Sequence, residues 1–420
     1  MKTNRIGSVC AGLLAVATSL CAAGPTAQAL LASSEIKKAL AAVDRDMESL
    51  VEEWIRISSV AAPSGQEAAR ASLVEARFRK AGLVEVHRDA EGNVLGKLKG
   101  ATSLPSVALA AHLDTVAPAE ADHEVKRLAG GRLQGPGIRD DSSGLAAMMA
   151  VMDLMVGHNL TPHADLWFVA TVREETGLHG AELFVAEHGH HLGAFVAVDG
   201  SLGQISCAAT AISWLELHFL SPGAHTLNAH ENPSAILGAA RAIEKISAIP
   251  LRRSPERMES WLNIGMIGGG DVPNAQPRDV WFTVDIRSND PETFSQLEAR
   301  VLDEARRVAR EMSLGFEHQV RHRREGRQLP GVERSLLVRS ARETLRALGW
   351  SPISVMQSGT ADHNVALLRG IPAIAVGVTT GNAAHTQEET ADVAPMAIGI
   401  KQLLLLVMQP LTSPEPPAAF

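Results

Sequence analysis

Short, nearly continuous apolar runs recur along the first half of the chain, and charged residues follow directly after them. The run at 107–111 leads into His112 and Asp114, and the run at 194–198 leads into Asp199. Runs of this length predict buried strands, and the helical periodicity between them predicts connecting helices. Together they predict an α/β fold with a largely parallel sheet flanked by helices. Because ligands bind beyond the carboxyl ends of such strands, we expect the charged side chains to meet at one edge of the sheet.

The pattern changes between residues 209 and 326, where strands alternate apolar and polar positions and helices are amphipathic. The segment at 212–220 predicts an alternating strand, and the segment at 291–312 predicts a charged helix. These elements predict a smaller α+β domain, inserted into the larger domain, with helices on one face of its sheet. The larger domain is then expected in two parts, 30–208 and 327–420.

The first 29 residues predict a secretory signal peptide. Lys2 and Arg5 precede an apolar run at 6–23, and a small-x-small cleavage pattern ends at Ala29. Its removal changes the formal net charge from −8 to −10, which argues against a nucleic-acid partner. The remaining apolar runs are too short to span a membrane. We therefore expect an exported protein, periplasmic or secreted, that has no membrane association after signal removal.

His112 and Asp114 are two residues apart on a predicted strand, so their side chains share one face. Asp114 can accept a hydrogen bond from one imidazole nitrogen and leave the other nitrogen free to bind a metal. Taken alone, this pair is more typical of a buried histidine with its partner. The adjacent Glu174 and Glu175, taken alone, are typical of a solvated helix start.

The joint occurrence of such residues after predicted strands and turns is what favours a metal site. Five positions are candidate ligands: His112, Asp140, Glu175, Asp199 and His385. Imidazole and carboxylate groups are the ligands that Zn²⁺ uses, and adjacent glutamates are costly to bury without a cation. One glutamate of the Glu174–Glu175 pair can bind metal while the other acts as a base. The set predicts a site for two Zn²⁺ ions, with Co²⁺ or Mn²⁺ as substitutes.

Several motifs, in their order and spacing, resemble the co-catalytic zinc family of peptidase T, glutamate carboxypeptidase, aminoacylase and succinyl-diaminopimelate desuccinylase. They cover nearly the whole chain after the signal peptide. The motifs are AHLDTV (111–116), GPGIRDDSSG (135–144), REETG (173–177), AVDG (197–200), PGAH (222–225), IGGGDVPNAQP (267–277), DIRS (285–288), GTADHN (359–364), GIPAIAVG (370–377) and AAHTQEE (383–389). The resemblance implies a zinc-exopeptidase-like larger domain and makes the inserted domain a lid that also mediates dimerisation.

The resemblance also assigns roles to single residues. It implies that His112, Asp140 and Asp199 hold one metal, and that Asp140 bridges to a second metal held by Glu175 and His385. It makes Glu174 the general base and Asp114 the residue that orients His112. The peptide bond between Asp140 and Asp141 is cis in such proteins. In the lid, His225 is expected to stabilise the tetrahedral intermediate, in some members across a dimer, while Asn274 and Arg287 meet the substrate carboxylate or its neighbourhood.

The function implied is hydrolysis of an amide bond in small peptides, as an exopeptidase, dipeptidase or carboxypeptidase, by a metal-activated water with Glu174 as the base. An N-acyl amino acid deacylase on the same site is an alternative, and substrate trials separate the two. A non-catalytic metal-binding or peptide-binding protein is a rival from another class, yet Glu174 and every ligand are present. A serine hydrolase is disfavoured because no G-x-S-x-G motif occurs. We further expect a homodimer through the lid, with the strand at 212–220 as the pairing edge.

Overall fold

The computed structural model describes residues 25–253, 259–329 and 331–412. Residues 1–24 of the predicted signal peptide lie outside the described residues, and its last residues fall in a short helix, Ala27–Ala32. The signal peptide therefore stays a prediction. Within the described ranges, no helix has the length and apolar character that crossing a membrane requires.

The described residues form eleven α-helices and eighteen β-strands. The helices are α1 (Ala27–Ala32), α2 (Ser34–Arg45), α3 (Met47–Ser58), α4 (Ala68–Ala81), α5 (Ser142–Gly157), α6 (His179–His188), α7 (Ala235–Ser247), α8 (Pro291–Glu311), α9 (Leu336–Ala347), α10 (His363–Leu368) and α11 (Val393–Val407). The strands are β1 (Val84–Arg88), β2 (Val94–Leu98), β3 (Ser106–His112), β4 (Lys126–Leu128), β5 (Arg132–Gln134), β6 (Leu166–Thr171), β7 (Leu192–Ala197), β8 (Gln204–Ser206), β9 (Ala211–Leu220), β10 (Ala224–His225), β11 (Ser260–Gly269), β12 (Ala275–Gln276), β13 (Asp279–Ser288), β14 (Gly315–Arg324), β15 (Ser354–Met356), β16 (Ala373–Val376), β17 (Gly381–Asn382) and β18 (Thr390–Asp392).

The main sheet has eight strands in the order β1-β2-β6-β3-β7-β16-β8-β15, and its central strands run parallel. Almost every side chain of β3, β6 and β7 is buried, as expected for strands covered on both faces. Helix α5 packs against β3 and is buried on nearly all sides, with α3 and α11 beside it. The predicted fold class, a largely parallel sheet flanked by helices, is confirmed.

Parallel pairing brings the ends of three strands to one edge of the main sheet. Strand β3 ends at His112, β6 ends three residues before Glu174, and β7 ends two residues before Asp199. Because β3 lies between β6 and β7, these residues come together although they are far apart in sequence. The apolar runs of the sequence therefore determine where the charged residues meet.

A second sheet, which we call the lid sheet, has four antiparallel strands in the order β11-β13-β9-β14. Helices α7 and α8 cover one of its faces around a core that includes Phe219, Phe282 and Phe294. Strand β9 lies between β13 and β14, so the expectation that the strand at 212–220 forms a pairing edge is wrong. Alternation of apolar and polar positions indicates that one face of the strand is covered, but it does not distinguish a central strand from an edge strand.

The chain passes between the two sheets at one place. Ala209 and Arg327 pair through two backbone hydrogen bonds of 2.8 and 3.0 Å, where the chain leaves the main sheet and returns to it. Each sheet has its own cluster of buried apolar side chains.

Candidate metal centre

His112 ends β3, and its ring is almost completely buried. Its Nδ1 lies 3.0 Å from the backbone carbonyl oxygen of Asp114. A carbonyl oxygen only accepts, so Nδ1 carries the ring proton and Nε2 presents its lone pair to the site. That Nε2 lies 3.0 Å from Asp140 Oδ1. Asp114 thus orients His112 mainly through its carbonyl, with its carboxylate oxygen farther away, at 3.4 Å from Nδ1.

The buried carboxylate of Asp114 has a wider structural role than the sequence suggested. Asp114 Oδ1 accepts a hydrogen bond of 2.9 Å from the backbone N–H of Glu174, and Oδ2 accepts one of 3.1 Å from Glu175. The hydroxyl of Ser64 donates to Oδ2 at 2.5 Å. One carboxylate therefore fixes the loop after β6, which carries both glutamates, against the end of β3.

Asp140 lies in the turn before α5, and its peptide bond to Asp141 is cis, as the resemblance predicted. Asp141 is the N-cap of α5, and its two oxygens accept hydrogen bonds of 3.0 Å from the backbone N–H groups of Gly144 and His112. This leaves the Asp140 carboxylate directed at the site, with Oδ1 towards His112 and Oδ2 at 3.3 Å from His385 Nε2.

Glu175 and His385 complete the cluster. Their closest atoms, Glu175 Oε1 and His385 Nε2, are 3.2 Å apart. One ligand atom each from His112, Asp140 and Glu175 lie within 4.8 Å of one another, so the three side chains can hold one ion together. Asp140 contacts a histidine on either side, which is the arrangement that a bridging carboxylate requires.

Glu174 and Asp199 line the same cavity as the cluster. Burial, together with the negative charge of Asp140, raises the pKa of Asp199 to about 7. Burial also holds the pKa of Glu174 well above its ordinary value, and the charges of Asp199 and Asp362 add to this. Buried carboxylates in this number are costly without compensating positive charge. Imidazole and carboxylate donors around such a cavity therefore fit a pair of divalent metal ions.

The cavity has a volume of about 450 Å³ and lies between the main sheet and the lid sheet. Arg287, predicted to meet the substrate, lines it from β13. His225 and Asn274 lie elsewhere. His225 lines a separate cavity on the lid. The residue after it, Thr226, donates its backbone N–H to the backbone carbonyl oxygen of Asn274 at 3.0 Å. Within one chain the structure therefore brings together the metal-ligand candidates, Glu174 and Arg287, and leaves His225 and Asn274 apart from them.

Two buried acidic residues of the site were missed by sequence reasoning. Glu389 accepts hydrogen bonds from the backbone N–H groups of Gly137 at 2.8 Å and Asp140 at 3.1 Å, and so shapes the turn that presents Asp140. Asp362 accepts a hydrogen bond of 2.6 Å from the hydroxyl of Thr171, at the end of β6. Glu389 had a signal in the sequence, because it belongs to a second pair of adjacent glutamates after a candidate ligand.

Comparison with known proteins places this geometry in a family. The model of peptidase family M20/M25/M40 matches residues 108–409. The chain belongs to this family. It is therefore a metal-dependent hydrolase of amide bonds. The cluster of His112, Asp140 and Glu175 is its candidate metal site.

Two relatives match over most of their length. The chain is 27% identical to the protein YqjE of Bacillus subtilis over 371 residues, which are 84% of this chain and 97% of the relative. It is 26% identical to succinyl-diaminopimelate desuccinylase of Corynebacterium glutamicum over 353 residues, which are 80% of this chain and 90% of that enzyme.

Solved structures show the same architecture. A tripeptidase of Staphylococcus aureus superposes with a TM-score of 0.76 and 25% identity, over 86% of this chain and 98% of that one. A dinuclear metal-binding M20 peptidase of Bacillus subtilis superposes with a TM-score of 0.66 and 15% identity, over 87% and 98% of the two chains. The second match shows the shared fold alone.

Proposed function

We propose that the protein is an exported di-zinc peptidase that hydrolyses an amide bond of small peptides next to a free carboxylate. The observation that carries this proposal is the position of Glu174, a buried glutamate that shares one cavity with the cluster of His112, Asp140 and Glu175. The similarity to a tripeptidase, at 25% identity over most of both chains, supports small peptides as substrates.

The ligand assignment follows the donor set. His112 and Asp199 would hold one zinc ion, Glu175 and His385 would hold the other, and Asp140 would bridge them. When bound, the ions supply an activated water molecule and polarise the amide carbonyl. Co²⁺ or Mn²⁺ would serve as substitutes, because the same imidazole and carboxylate ligands accept them.

The protein's own residues then handle the protons and the substrate. Glu174 accepts a proton from the water as it attacks the carbonyl carbon, and delivers it to the leaving nitrogen as the C–N bond breaks. The Asp114 carboxylate positions Glu174 by accepting a hydrogen bond from its backbone N–H.

Arg287 is the proposed partner of the free carboxylate. Its guanidinium lines the cavity, while its Nε donates to Asp285 at 3.1 Å, which fixes the side chain on the lid strand β13. A planar guanidinium binds a carboxylate through two parallel hydrogen bonds. This would align one end of the substrate relative to Glu174.

A deacylase of N-acyl amino acids is the second candidate. It is favoured by the similarity to a desuccinylase over 90% of that enzyme's length. Both reactions cleave an amide bond beside a carboxylate and use the same groups, so only the substrate distinguishes them.

His225 would act across a homodimer formed through the lid. Within its own chain His225 lines a cavity distant from the cluster, so a role on the tetrahedral intermediate requires a second copy. The edge strand β11 and the exposed Ile236 and Leu237 of α7 offer apolar surface for such pairing. Light scattering that returns only monomer at micromolar concentration, or unchanged turnover in His225→Ala, would remove this part of the proposal.

The test is hydrolysis of a panel of di- and tripeptides and N-acyl amino acids by the zinc-loaded protein, with Glu174→Ala as the blank. We expect cleavage that disappears in the blank, with peptides as the better substrates. A better rate on N-acyl amino acids would select the deacylase. No turnover of any member by protein that carries two metals would contradict the proposed function.

A further inference from the structure

The face of the lid sheet that α7 and α8 do not cover carries a concentration of tryptophan. Side chains alternate along β9 and β13, and Phe219 and Phe282 point to the covered face, so Trp214 and Trp281 point to the other one. Trp261 on β11 pairs with Arg287 and shares that side. These are three of the six tryptophans in a chain with 4% aromatic residues. Trp214 is 43% exposed and Trp261 36% exposed, which is unusual for side chains of this size.

A cavity of about 670 Å³ lies on this face, and Trp214, Met266 and Trp281 are its apolar walls. Its volume is within the range of small-molecule sites. Gly265 opens part of its floor, because a Cβ placed there would meet only Thr283 Oγ1 at 3.4 Å and Asn263 at 3.7 Å. We call this space the tryptophan cavity.

The tryptophan cavity adjoins the metal-site cavity. Trp214 lines both of them. A smaller cavity of about 390 Å³ lies beside both, since it shares Arg287 with the metal-site cavity and Asp285 with the tryptophan cavity. A substrate bound at Glu174 can therefore extend along Trp214 onto the face of the lid sheet.

The charged groups of the tryptophan cavity are already paired with each other. Glu216 accepts hydrogen bonds of 2.6 to 3.0 Å from the guanidinium of Arg321, and Asp285 accepts from Arg287. A charged ligand group would have to displace one of these partners. An apolar group instead covers the exposed ring and thioether surface of Trp214 and Met266, and gains the free energy of that burial.

A β-bulge gives this face its shape. Along β14, Phe316, His318 and Val320 pair with residues of the covered face of β9, but the register shifts at Arg321. After the shift His322 pairs with Trp214, so it points to the uncovered face. Its ring packs against Trp214 with centroids 5.0 Å apart and the ring planes tilted by 45°. Bulges redirect side chains in this way beside active sites. The bulge thus fixes Trp214 from one side and leaves its other side free.

We propose that the tryptophan cavity is a substrate subsite for a large apolar or aromatic group, attached to the amide that is cleaved at Glu174. This rests on the proposed function, and adds the class of substrate that the site prefers. The apolar group is either the side chain of a peptide or the acyl chain of an N-acyl amino acid. The same rings and thioether receive both.

The test compares kcat/KM for substrate pairs that differ only in apolar size. One arm uses peptides with phenylalanine or alanine at a single position, and the other uses N-acyl amino acids with long or short acyl chains. We expect the wild-type protein to favour the larger member of a pair by at least about tenfold. Trp214→Ala should remove most of this preference, whereas Trp214→Phe should retain most of it.

Two further variants separate the cavity from a general effect. Gly265→Leu fits the backbone and fills the cavity, so it should lower kcat/KM for the larger substrates more than for the smaller ones. Leu336→Ala, at a residue of α9 that is 41% exposed and lines none of the three cavities, is the control and should leave the preference unchanged.

The outcomes distinguish the two proposals. If the wild-type protein cleaves no member of either arm, the proposed function fails. If it cleaves them without preference, or if Trp214→Ala and Gly265→Leu leave the preference intact, the function stands and the subsite is overturned. A dimer that dissociates in Met266→Asp, with an unchanged preference, would show that this face contacts a second copy instead.

Discussion

The edge of the main sheet and the uncovered face of the lid sheet line neighbouring cavities, and they are built in opposite ways. At the edge of the main sheet, charged side chains are buried and held by hydrogen bonds from neighbouring loops, as the four contacts of Asp114 illustrate. On the lid sheet, the large side chains are apolar and partly exposed, with Trp214 and Met266 as examples. The first construction fixes charges in place, and the second offers surface that can be covered.

The difference reflects what each region must do. Groups that move protons or hold metals need fixed positions, and a preorganised polar site costs no rearrangement during the reaction. Choice of substrate depends on surface that becomes covered, where each methylene changes the free energy by about 1 to 3 kcal/mol. We propose that the main sheet determines the reaction and that the lid determines the substrate preference.

Replacement of the proposed base is expected to give the largest effect. Glu174→Gln removes the group that accepts the proton, and should lower kcat by about 10³-fold on every substrate. The ratio of kcat/KM between large and small substrates should not change, because the substitution leaves the lid as it is. Steady-state kinetics with metal content measured on the same sample provides the check, and Glu187→Gln, at a half-exposed position of α6, is the control. A residual rate near that of wild type would contradict the role of Glu174.

Loss of the Asp114 carboxylate should have the next largest effect. Asp114→Asn keeps the carbonyl that orients His112 but weakens the contacts to the backbone of Glu174 and Glu175. We expect kcat or zinc affinity to fall by about 10- to 100-fold, as for other groups that position metal ligands. Zinc titration and kinetics would measure both. Unchanged values for both would mean that the loop after β6 is held by other contacts.

The buried His363 should make the main domain sensitive to acid. Burial lowers its pKa to about 4, whereas a histidine in an unfolded chain has a pKa near 6.5. Between these values only the unfolded chain takes up the proton, so the free energy of unfolding falls as the pH falls. The protonation of this histidine in the unfolded chain should lower the free energy of unfolding by about 2 kcal/mol between pH 7 and pH 5. Urea unfolding of wild type and His363→Gln at both pH values measures the difference. The same pH dependence of the free energy of unfolding in both proteins would contradict this prediction.

His218 in the lid should show a smaller effect of the opposite sign. Burial lowers its pKa, but hydrogen bonds to Asp279 and Glu216 raise it above the ordinary value. Its stabilising effect is therefore complete below the pKa of the unfolded chain and is lost as the pH rises through the folded pKa. His218→Gln should lower the free energy of unfolding by less than about 1 kcal/mol, and by more at pH 6 than at pH 9. The pH dependence should be weaker in an Asp279→Asn background, where Glu216 is the remaining partner, and an undiminished dependence there would count against the contribution of Asp279.

Much of the catalytic region was predictable from the sequence, for a physical reason. Apolar runs predict buried parallel strands, and such strands bring residues such as His112 and Asp199 to one edge. The supporting contacts were less visible. Glu389 reaches Asp140 across about 250 positions of sequence, and periodicity carries no information about such pairs.

The lid was predicted less well. The alternation at 212–220 predicted a strand, but its central position in the sheet depends on β14, whose basic segment 321–324 has no apolar pattern. The bulge at Arg321 shifts the phase of that strand, so alternation would have placed His322 on the wrong face. Arg324 likewise proves to line the metal-site cavity, where it donates to the carbonyl of Gly177.

The metal content of an Asp140 variant tests the central claim most directly. After zinc loading and dialysis, wild-type protein should retain two zinc ions per chain by mass spectrometry of the metal. Asp140→Ala should retain at most one, because the carboxylate that contacts both histidines is gone, while Trp214→Ala should still retain two. Retention of two ions by Asp140→Ala, with the fold intact by circular dichroism, would contradict the account of this site.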